Sequence, residues 1–418
     1  MNAHFTNMRD LARAFAHAMD LISPEVQDHH YKVAYLSYRI AEELNLDEKG
    51  KRLAIYAALF HDVGSVALDS RITLADVERS AEKFAATGAD ILGMFPRTHK
   101  VSEIVRLSQT SWKNIKALPK LIKNPYVISQ TVHLADAVSL VIDENTPVLV
   151  QAENIINSLS ASSDGEFSPA VVNAFIRTAK KEYVWMDMLY KPDCFLDFIK
   201  NDNTVTLDET VRLTELMSLI IDFRSPFTAM HSAGVAASAV CLAELMGMSE
   251  DECSMMRIAG NLHDLGKLKV PKEILEKPGK LTDEEFNIVK EHAYFTYVLL
   301  NDIEGFEEIT KWAAFHHEKL DGNGYPYHLE KGELPLGSRI MAVADIFSAL
   351  TEDRPYRKGM NKEEALGILR QNASNGAVSD IIVELLAANY EQIDKAREEA
   401  SAAAGKRYFA SIKNSENN

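Results

Sequence analysis

Residues 316–326 read His316-His317-Glu318-Lys319-Leu320-Asp321-Gly322-Asn323-Gly324-Tyr325-Pro326, and residues 263–267 read His263-Asp264-Leu265-Gly266-Lys267. The first stretch joins two adjacent imidazoles to a glycine-rich loop, and the second adds a His-Asp pair. Imidazole nitrogen and carboxylate oxygen together suit first-row transition metal ions. A site with more than four such ligands can hold two ions and clamp a phosphate between them. The two stretches therefore predict a metal centre beside a loop that is shaped around a ligand.

The sequence around these motifs has the pattern of helices. Apolar residues recur at helical spacing in two places, namely Val33, Leu36, Ile40 and Leu44 and, further on, Val235, Ala239, Leu242 and Leu245. Thr282 and Glu285 have the spacing of a capping box at the start of another helix. We predict an all-α fold, with one short hairpin near residues 325–338, where Gly and Pro cluster.

The composition argues against several classes of protein. The 418 residues carry a net charge of −16, whereas a polynucleotide binder needs an excess of Lys and Arg to release counterions. The three cysteines, Cys194, Cys241 and Cys253, form no CxxC pair, which fits a reducing cytoplasm. No uninterrupted apolar run of about 18 residues occurs, so we predict no membrane span. Apolar helical faces in the N-terminal half make a homodimer one option.

An internal repeat divides the chain. A shift of 202 residues places His29 on His231 and His61-Asp62 on His263-Asp264, and Asp136 later mirrors Asp345 within similar surroundings. Matches in the same order indicate a duplication. We predict a first domain over residues 1–157, a linker with connecting helices over 158–204, a second domain over 205–400 and a tail over 401–418.

The second domain offers seven candidate metal ligands in a fixed order: His231, His263, Asp264, His292, His316, His317 and Asp345. A single histidine of this kind is more often a surface residue or a capped core residue than a ligand. The complete order H…HDxGK…H…HHExxDGxGYP…D, however, resembles the HD-GYP family of cyclic-dinucleotide phosphodiesterases, a branch of the HD hydrolases. The resemblance covers residues 205–395 and includes the later string Arg354-Pro355-Tyr356-Arg357.

The resemblance implies two HD-type helical domains and a centre with two metal ions. One ion would be bound by His231, His263, Asp264 and Asp345. The other would be bound by His292, His316 and His317, with Asp264 bridging both ions. Iron or manganese suits this set of nitrogen and oxygen ligands, and nickel or zinc stays open. The ions would share a hydroxide that attacks the phosphodiester in line with the departing 3′ oxygen.

The resemblance also suggests contacts to the substrate. Lys267 would contact a phosphate oxygen or assist the leaving group, so we count Lys267 and Asp264 as catalytic. Arg354 and Arg357 are candidates for a phosphate or a guanine edge, because a guanidinium offers a planar fork of donors. Gly324 and Tyr325 belong to a tight turn that borders the active site in the family.

Two positions of the second domain depart from the pattern. Phe227 stands where some members carry a Glu that supports a third metal, so we expect two metals. Ser348 stands where members commonly have Asp, and we expect hydrolysis to be retained.

The N-terminal copy is poorer. It keeps a minimal ligand set, which comprises His29 or His30, His61, Asp62 and Asp136. It lacks the lysine and the GYP loop, has only His99 near the place of the His-His pair, and has Gly88 or a neighbour in place of the middle His. We expect a degenerate domain with a structural or regulatory role rather than a metal-binding one.

The sequence therefore predicts a metal-dependent phosphodiesterase. Its substrate would be a 3′,5′-linked cyclic dinucleotide, either cyclic di-GMP or 3′,3′-cyclic GMP-AMP, which it would open to the linear dinucleotide. One alternative is a sensor that binds the dinucleotide without turnover, and the complete ligand set with Lys267 favours the enzyme. Another alternative is a general HD hydrolase of other phosphoesters, and the GYP loop argues against it.

Overall fold

The computed structural model describes residues 5–22, 28–68, 74–118, 123–199, 204–223, 230–353 and 358–416. The chain forms two compact units. The C-terminal unit is drawn from residues 1–18 and 203–410, and the N-terminal unit is drawn from residues 19–202 and 411–418.

Helices make up nearly all of the regular structure in the described residues, and the predicted all-α fold is confirmed. The helices that precede the C-terminal repeat are α1 (Met8–Asp20), α2 (His29–Glu43), α3 (Glu48–Leu59), α4 (Val63–Leu68), α5 (Leu74–Gly93), α6 (His99–Val105), α7 (Trp112–Ala117), α8 (Lys123–Val141), α9 (Val148–Ala161), α10 (Pro169–Ala179) and α11 (Glu182–Tyr190).

The later helices are α12 (Leu207–Phe223), α13 (His231–Leu245), α14 (Glu250–Leu262), α15 (Lys272–Leu275), α16 (Asp283–Leu300), α17 (Glu307–Ala314), α18 (Leu336–Thr351), α19 (Lys362–Ser374), α20 (Asp380–Ala388) and α21 (Tyr390–Glu416). Short 3-10 helices cover Pro96–Thr98, Cys194–Asp197 and Leu265–Lys269. Two strands, β1 (Thr6–Asn7) and β2 (Thr204–Val205), pair in antiparallel fashion with Thr6 opposite Val205.

The start of the chain packs within the C-terminal unit. Besides the strand pair, Asn7 Nδ2 donates to Glu304 Oε2 at 3.1 Å, and Arg13 Nη2 donates to the carbonyl oxygen of Asp302 at 2.8 Å. The predicted first domain began at residue 1, whereas the N-terminal unit begins at residue 19. Helical spacing shows that α1 has an apolar face, but it does not show which body that face covers.

The internal repeat is visible in the helix bounds. The helices α2 and α13 each begin at a histidine and each contain 15 residues. Each packs against the helix that follows it, α3 or α14. The α13–α14 crossing is close, because a Cβ added at Gly260 would lie 2.5 Å from Ala236 Cα. Each unit therefore contains its own helical hairpin, and each hairpin carries the first candidate ligands of its unit.

Side-chain caps fix the start of two helices that lead into the site. Thr282 Oγ1 accepts from the N–H of Glu285 at the start of α16, and the Glu285 carboxylate accepts from the N–H of Thr282. The predicted capping box is confirmed. Ser249 and Glu252 make the same pair at the start of α14. Each cap satisfies backbone donors that the first helical turn would otherwise leave unpaired.

The predicted hairpin near residues 325–338 is wrong. An isolated bridge pairs Asp321 with Glu330, and α18 already begins at Leu336. The buried carboxylate of Glu318 accepts from the N–H of Tyr327 at 2.7 Å and from the N–H of Leu329 at 3.0 Å. Because one side chain satisfies these backbone donors, the loop needs no partner strand.

Among the described residues, every helix is too short or too polar to serve as a membrane span.

Candidate metal centre

Helix ends and helix faces of the C-terminal unit bring the candidate ligands together. His231 is the first residue of α13, His263-Asp264 directly follow α14, and His316-His317 come just after α17. His292 lies in α16, and Asp345 lies in α18. The turn after α14 rests directly on α16, because a Cβ added at Gly266 would lie 2.0 Å from the carbonyl oxygen of His292.

The ligand atoms form two groups of three. Those of His231, His263 and Asp264 lie within 4.8 Å of one another, and so do those of His292, His316 and His317. Asp264 faces both groups: its Oδ2 is 3.3 Å from His263 Nε2, and its Oδ1 is 3.6 Å from His292 Nε2. Asp345 Oδ1 lies 3.1 Å from His231 Nε2, beside the first group. All seven predicted ligands therefore meet in one place.

Hydrogen bonds at Nδ1 orient the imidazoles. Three rings place Nδ1 at hydrogen-bonding distance from the carbonyl three residues earlier, in the pairs His263–Gly260 at 2.8 Å, His292–Val289 at 2.5 Å and His316–Ala313 at 2.6 Å. A donor at Nδ1 leaves the Nε2 lone pair free to face the centre. His231 differs, because its Nδ1 lies 2.9 Å from Glu352 Oε2, a carboxylate oxygen.

The electrostatics of the second group favour neutral imidazoles. Burial, together with the neighbouring imidazole, lowers the pKa of His292 to about 3. Burial likewise lowers the pKa of His317 to about 4. Burial alone would raise the pKa of Asp264, but His263 and Lys267 hold it well below its usual range. A neutral imidazole and an ionised carboxylate are the protonation states that bind metals.

Two atoms at the middle of the site are well placed for ions. His263 Nε2 and Asp264 Oδ1 are buried, and neither has a hydrogen-bond partner among the described residues. A buried polar atom without a partner costs about 1–3 kcal/mol, and a cation would satisfy both atoms. The donor set of imidazole nitrogens and carboxylate oxygens fits divalent transition metals. The residues present therefore fit the two ions that the sequence implies.

Three of the predicted substrate contacts, Lys267, Gly324 and Tyr325, lie in the part of the chain that the structure describes. Lys267 Nζ lies 2.5 Å from Asp264 Oδ2. The Tyr325 ring centroid lies 4.8 Å from that of His317, and the Tyr325 N–H donates to the His317 carbonyl oxygen at 3.3 Å. Gly324 is buried, and a Cβ there would lie 2.4 Å from Glu318 Cα. Arg354, Arg357 and the Phe227 position lie outside the described residues.

A groove opens on the outer side of the glycine loop. Its volume is about 660 Å³, and aromatic and cationic side chains line it, among them Phe286, Lys290, Tyr294, Lys319 and Tyr325. Tyr325 lies between the groove and the candidate ligand His317. Its ring centroid is 6.1 Å from that of Phe286 in the groove and 4.8 Å from that of His317. The groove therefore lies next to the centre and has the chemistry to hold an aromatic anion.

Two further carboxylates, the buried Glu318 and the partly buried Glu352, lie near the predicted ligands without having been predicted. Glu318 belongs to the quoted stretch and anchors the loop that follows it. Glu352 pairs with His231 and lies one helical turn after Ser348, which is one of the two departures from the family pattern. Because Ser348 replaces an Asp that is common in the family, the sequence signals that another carboxylate near this position takes its place, and Glu352 follows four residues later.

The N-terminal unit gathers its own candidate set. His29 Nε2 lies 3.3 Å from His61 Nε2 and 3.3 Å from Asp136 Oδ1. His61 Nε2 lies 3.3 Å from Asp62 Oδ2. His30 also approaches, and its Nδ1 is paired with Asp20. A cavity of about 130 Å³ lies beside these residues, which leaves little room for a ligand larger than a few water molecules.

The N-terminal copy has no counterpart of the second group among the described residues. A Cβ added at Gly64 would lie 2.0 Å from the carbonyl oxygen of Phe84. In the C-terminal copy, a Cβ added at Gly266 would lie 2.0 Å from the carbonyl oxygen of His292. Phe84 is therefore the counterpart of His292, and it lies one helical turn before the predicted position at Gly88 or a neighbour. His99 is exposed at the start of α6, whereas His316-His317 follow the end of a helix.

Comparison with protein families agrees with this internal symmetry. Profiles described as HD domain match residues 26–140 and residues 215–378. The chain contains two HD domains. Each HD domain holds one of the His-Asp sets described above, and the predicted membership of the HD superfamily is confirmed.

Similar proteins include enzymes of cyclic-dinucleotide metabolism. The tandem HD chain is 27% identical to the 3′3′-cGAMP-specific phosphodiesterase 1 of Vibrio cholerae serotype O1, over 92% of each chain. It is 39% identical to a cyclic di-GMP phosphodiesterase of Pseudomonas aeruginosa, over 36% of this chain and 37% of that relative.

A solved structure shares the fold. The crystal structure of a cyclic GMP-AMP specific phosphodiesterase of V. cholerae superposes with a TM-score of 0.64 at 22% identity, and the match covers 92% of this chain and 98% of that one.

Proposed function

We propose that the C-terminal HD domain hydrolyses a 3′,5′-linked cyclic dinucleotide to the linear dinucleotide. The observation that carries the proposal is the pair of largely buried groups of candidate ligands that Asp264 faces on both sides, beside the glycine loop. Two adjacent ions are the arrangement that phosphodiester hydrolysis uses in many enzymes. The names of the relatives identify the same reaction class and point to the same class of substrate.

The ligand assignment follows the two groups. His231, His263, Asp264 and Asp345 would hold one ion, and His292, His316 and His317 would hold the other, with Asp264 shared. Iron or manganese is proposed, and nickel or zinc is a further option. When bound, the ions would supply a deprotonated bridging water as the nucleophile and positive charge next to the phosphoryl oxygens.

The remaining side chains position the substrate. The ammonium group of Lys267 lies against Asp264, and its side chain is 21% exposed. In that place it would contact a phosphate oxygen or the leaving 3′ oxygen of the substrate. Tyr325 and Gly324 line the groove, and the Tyr325 ring lies beside His317. Arg354 and Arg357 are proposed as further contacts to a phosphate or a guanine edge. A homodimer and a cytoplasmic location stay predictions.

The identity of the dinucleotide is open between two candidates. The relative that aligns along both HD domains is named for 3′3′-cGAMP, which makes 3′,3′-cyclic GMP-AMP the first substrate to test. A shorter match is named for cyclic di-GMP. The two substrates differ in one purine, so the discrimination must come from contacts to one base edge.

The test is a turnover assay with metal-loaded protein. The full chain is purified anaerobically, loaded with Mn²⁺ or Fe²⁺, and incubated with each dinucleotide, and the products are separated by chromatography. We expect a linear dinucleotide from at least one of them. Binding without any product would support the sensor, and turnover of nucleoside triphosphates alone would support a general hydrolase. Inertness toward all of these substrates would refute the enzyme.

A substitution at Asp264 tests the shared ligand. Because its carboxylate faces both groups, Asp264→Ala should lower the affinity for both ions and reduce turnover by at least about 100-fold. Asp251→Ala, an exposed aspartate in the first turn of α14, is the matched control and should behave like the unchanged protein. Elemental analysis gives the metal content of both variants. Full activity in Asp264→Ala would contradict the ligand assignment.

A further inference from the structure

His231 is oriented differently from the other ligand histidines of the C-terminal domain. His263, His292 and His316 each use the carbonyl oxygen three residues earlier as the partner of Nδ1. His231 is the first residue of α13. Its Nδ1 lies instead 2.9 Å from Glu352 Oε2.

Glu352 is built into this contact. It follows the last turn of α18, and its side chain is only 13% exposed. Its second oxygen, Oε1, is buried and has no hydrogen-bond partner among the described residues. Burying a carboxylate is costly unless a partner compensates the charge. Glu352 Oε2 finds such a partner in the imidazole of His231, a predicted metal ligand.

The N-terminal copy shows a different partner at the same place. There, His29 Nδ1 lies 3.0 Å from Ser139 Oγ. Ser139 follows Asp136 by three residues, as Ser348 follows Asp345 in the C-terminal copy. Ser348 is fully buried, yet its Oγ has no hydrogen-bond partner among the described residues. The C-terminal copy has therefore exchanged a hydroxyl partner for a carboxylate that lies one helical turn further along.

We propose that Glu352 is a positioning residue for the first metal site, acting through His231. This inference rests on the proposed metal centre. A carboxylate that accepts from Nδ1–H fixes the tautomer and the ring orientation, and it strengthens Nε2 as a donor to the ion. A serine hydroxyl can orient the ring, but it carries no charge to strengthen the donor. Glu352 thus supplies the carboxylate that Ser348 lacks.

Metal titration of the full chain tests the assignment without relying on turnover. Metal-free protein is titrated with Mn²⁺, and binding is followed by calorimetry. Glu352→Ala should weaken one class of Mn²⁺ sites by about 10–100-fold and leave the site of His292, His316 and His317 unchanged. Glu352→Gln should have a smaller effect, because its amide oxygen still accepts from Nδ1–H. Glu363→Gln, at an exposed position of α19, is the control.

A second variant moves the carboxylate back by one turn. In Glu352→Ala combined with Ser348→Asp, the charge is conserved and the new carboxylate occupies the position that contacts the histidine in the N-terminal copy. We expect Mn²⁺ affinity within about threefold of the unchanged protein. A double variant no tighter than Glu352→Ala, with an unchanged melting temperature for the metal-free protein, would overturn the proposal.

The outcomes separate this inference from the proposed function. If the unchanged protein binds no Mn²⁺, the metal centre itself is wrong. If the unchanged protein binds Mn²⁺ and hydrolyses a dinucleotide while Glu352→Ala titrates like Glu363→Gln, only the role of Glu352 is overturned. Selective loss of one class of sites with recovery in the double variant supports it.

Discussion

Neutral histidines at the second ligand group link metal binding to pH. His292 and His317 have pKa values of about 3 and about 4, mainly because burial disfavours their charged forms. In an unfolded chain, both would titrate near the ordinary value of 6.5. Between these limits the unfolded state binds more protons than the folded state, so lowering the pH favours unfolding. The same protons compete with the ions for Nε2.

We therefore expect the metal-free protein to lose stability as the pH falls from about 6.5 to about 4. The depressed pKa values of Asp264 and Asp345 should extend the loss to lower pH, because these carboxylates must then be protonated. Thermal unfolding of the chelated protein at intervals of half a pH unit measures the slope. His317→Gln should flatten the slope, since glutamine has no proton to gain. A melting temperature that stays constant across this window would contradict the argument.

Both copies have a close contact between the turn after the His-Asp pair and the helix that follows it, which carries His292 in the C-terminal copy and Phe84 in the N-terminal copy. The N–H of Gly266 donates to Thr296 Oγ1 at 3.0 Å, and that hydroxyl donates to the His263 carbonyl oxygen at 3.1 Å. Only glycine fits at this crossing, because a Cβ would meet the carbonyl oxygen of His292. Gly64 makes the equivalent approach to Phe84. The glycine thus fixes the distance between Asp264 and His292.

Gly266→Ala should push the two elements apart. Overpacking of this kind costs about 1–3 kcal/mol, and the separation should also weaken the shared position of Asp264 between the ligand groups. We expect a lower melting temperature and a loss of turnover that exceeds the loss of folded protein. Gly367→Ala, at a helical position of α19 with open space around it, is the control and should leave both unchanged or raise stability. Full activity in Gly266→Ala would show that the crossing can relax without cost.

Local patterns were enough to predict the helices and the repeat, whereas the candidate ligands came from the resemblance to a family. Helical spacing and the capping box at Thr282 depend on neighbours in sequence, so they can be recognised without a structure. The pairing of His231 with Glu352 joins positions 121 residues apart, and no local pattern encodes it. The prediction of Gly88 or a neighbour missed Phe84 for a related reason, because only the crossing helices show which residue faces the turn after His61-Asp62. The hairpin failed because the Glu318 side chain replaced a partner strand.

The two HD domains of the chain differ in how much of a catalytic centre they retain. In the N-terminal set, the possible ligand atoms of His29, His61 and Asp136 form one group, and those of His30, His61 and Asp62 form a second group that shares His61. Phe84 occupies the place of the middle histidine, and the cavity beside the set is small. Because the two N-terminal groups share His61 and lack a counterpart of His292, they offer fewer ligands with which to clamp a phosphate between two cations. Hydrolysis should therefore depend on the C-terminal domain alone.

Matched substitutions in the two copies test this division. His61→Ala should leave the turnover number within about threefold of the unchanged protein, whereas His263→Ala should lower it by at least about 100-fold. Both histidines are buried and place Nδ1 at hydrogen-bonding distance from a backbone carbonyl oxygen, so the structural cost of the two changes is comparable. Elemental analysis shows in addition whether His61→Ala removes an ion. Loss of turnover in His61→Ala, with the C-terminal metal content intact, would mean that the N-terminal domain takes part in hydrolysis and is more than a scaffold.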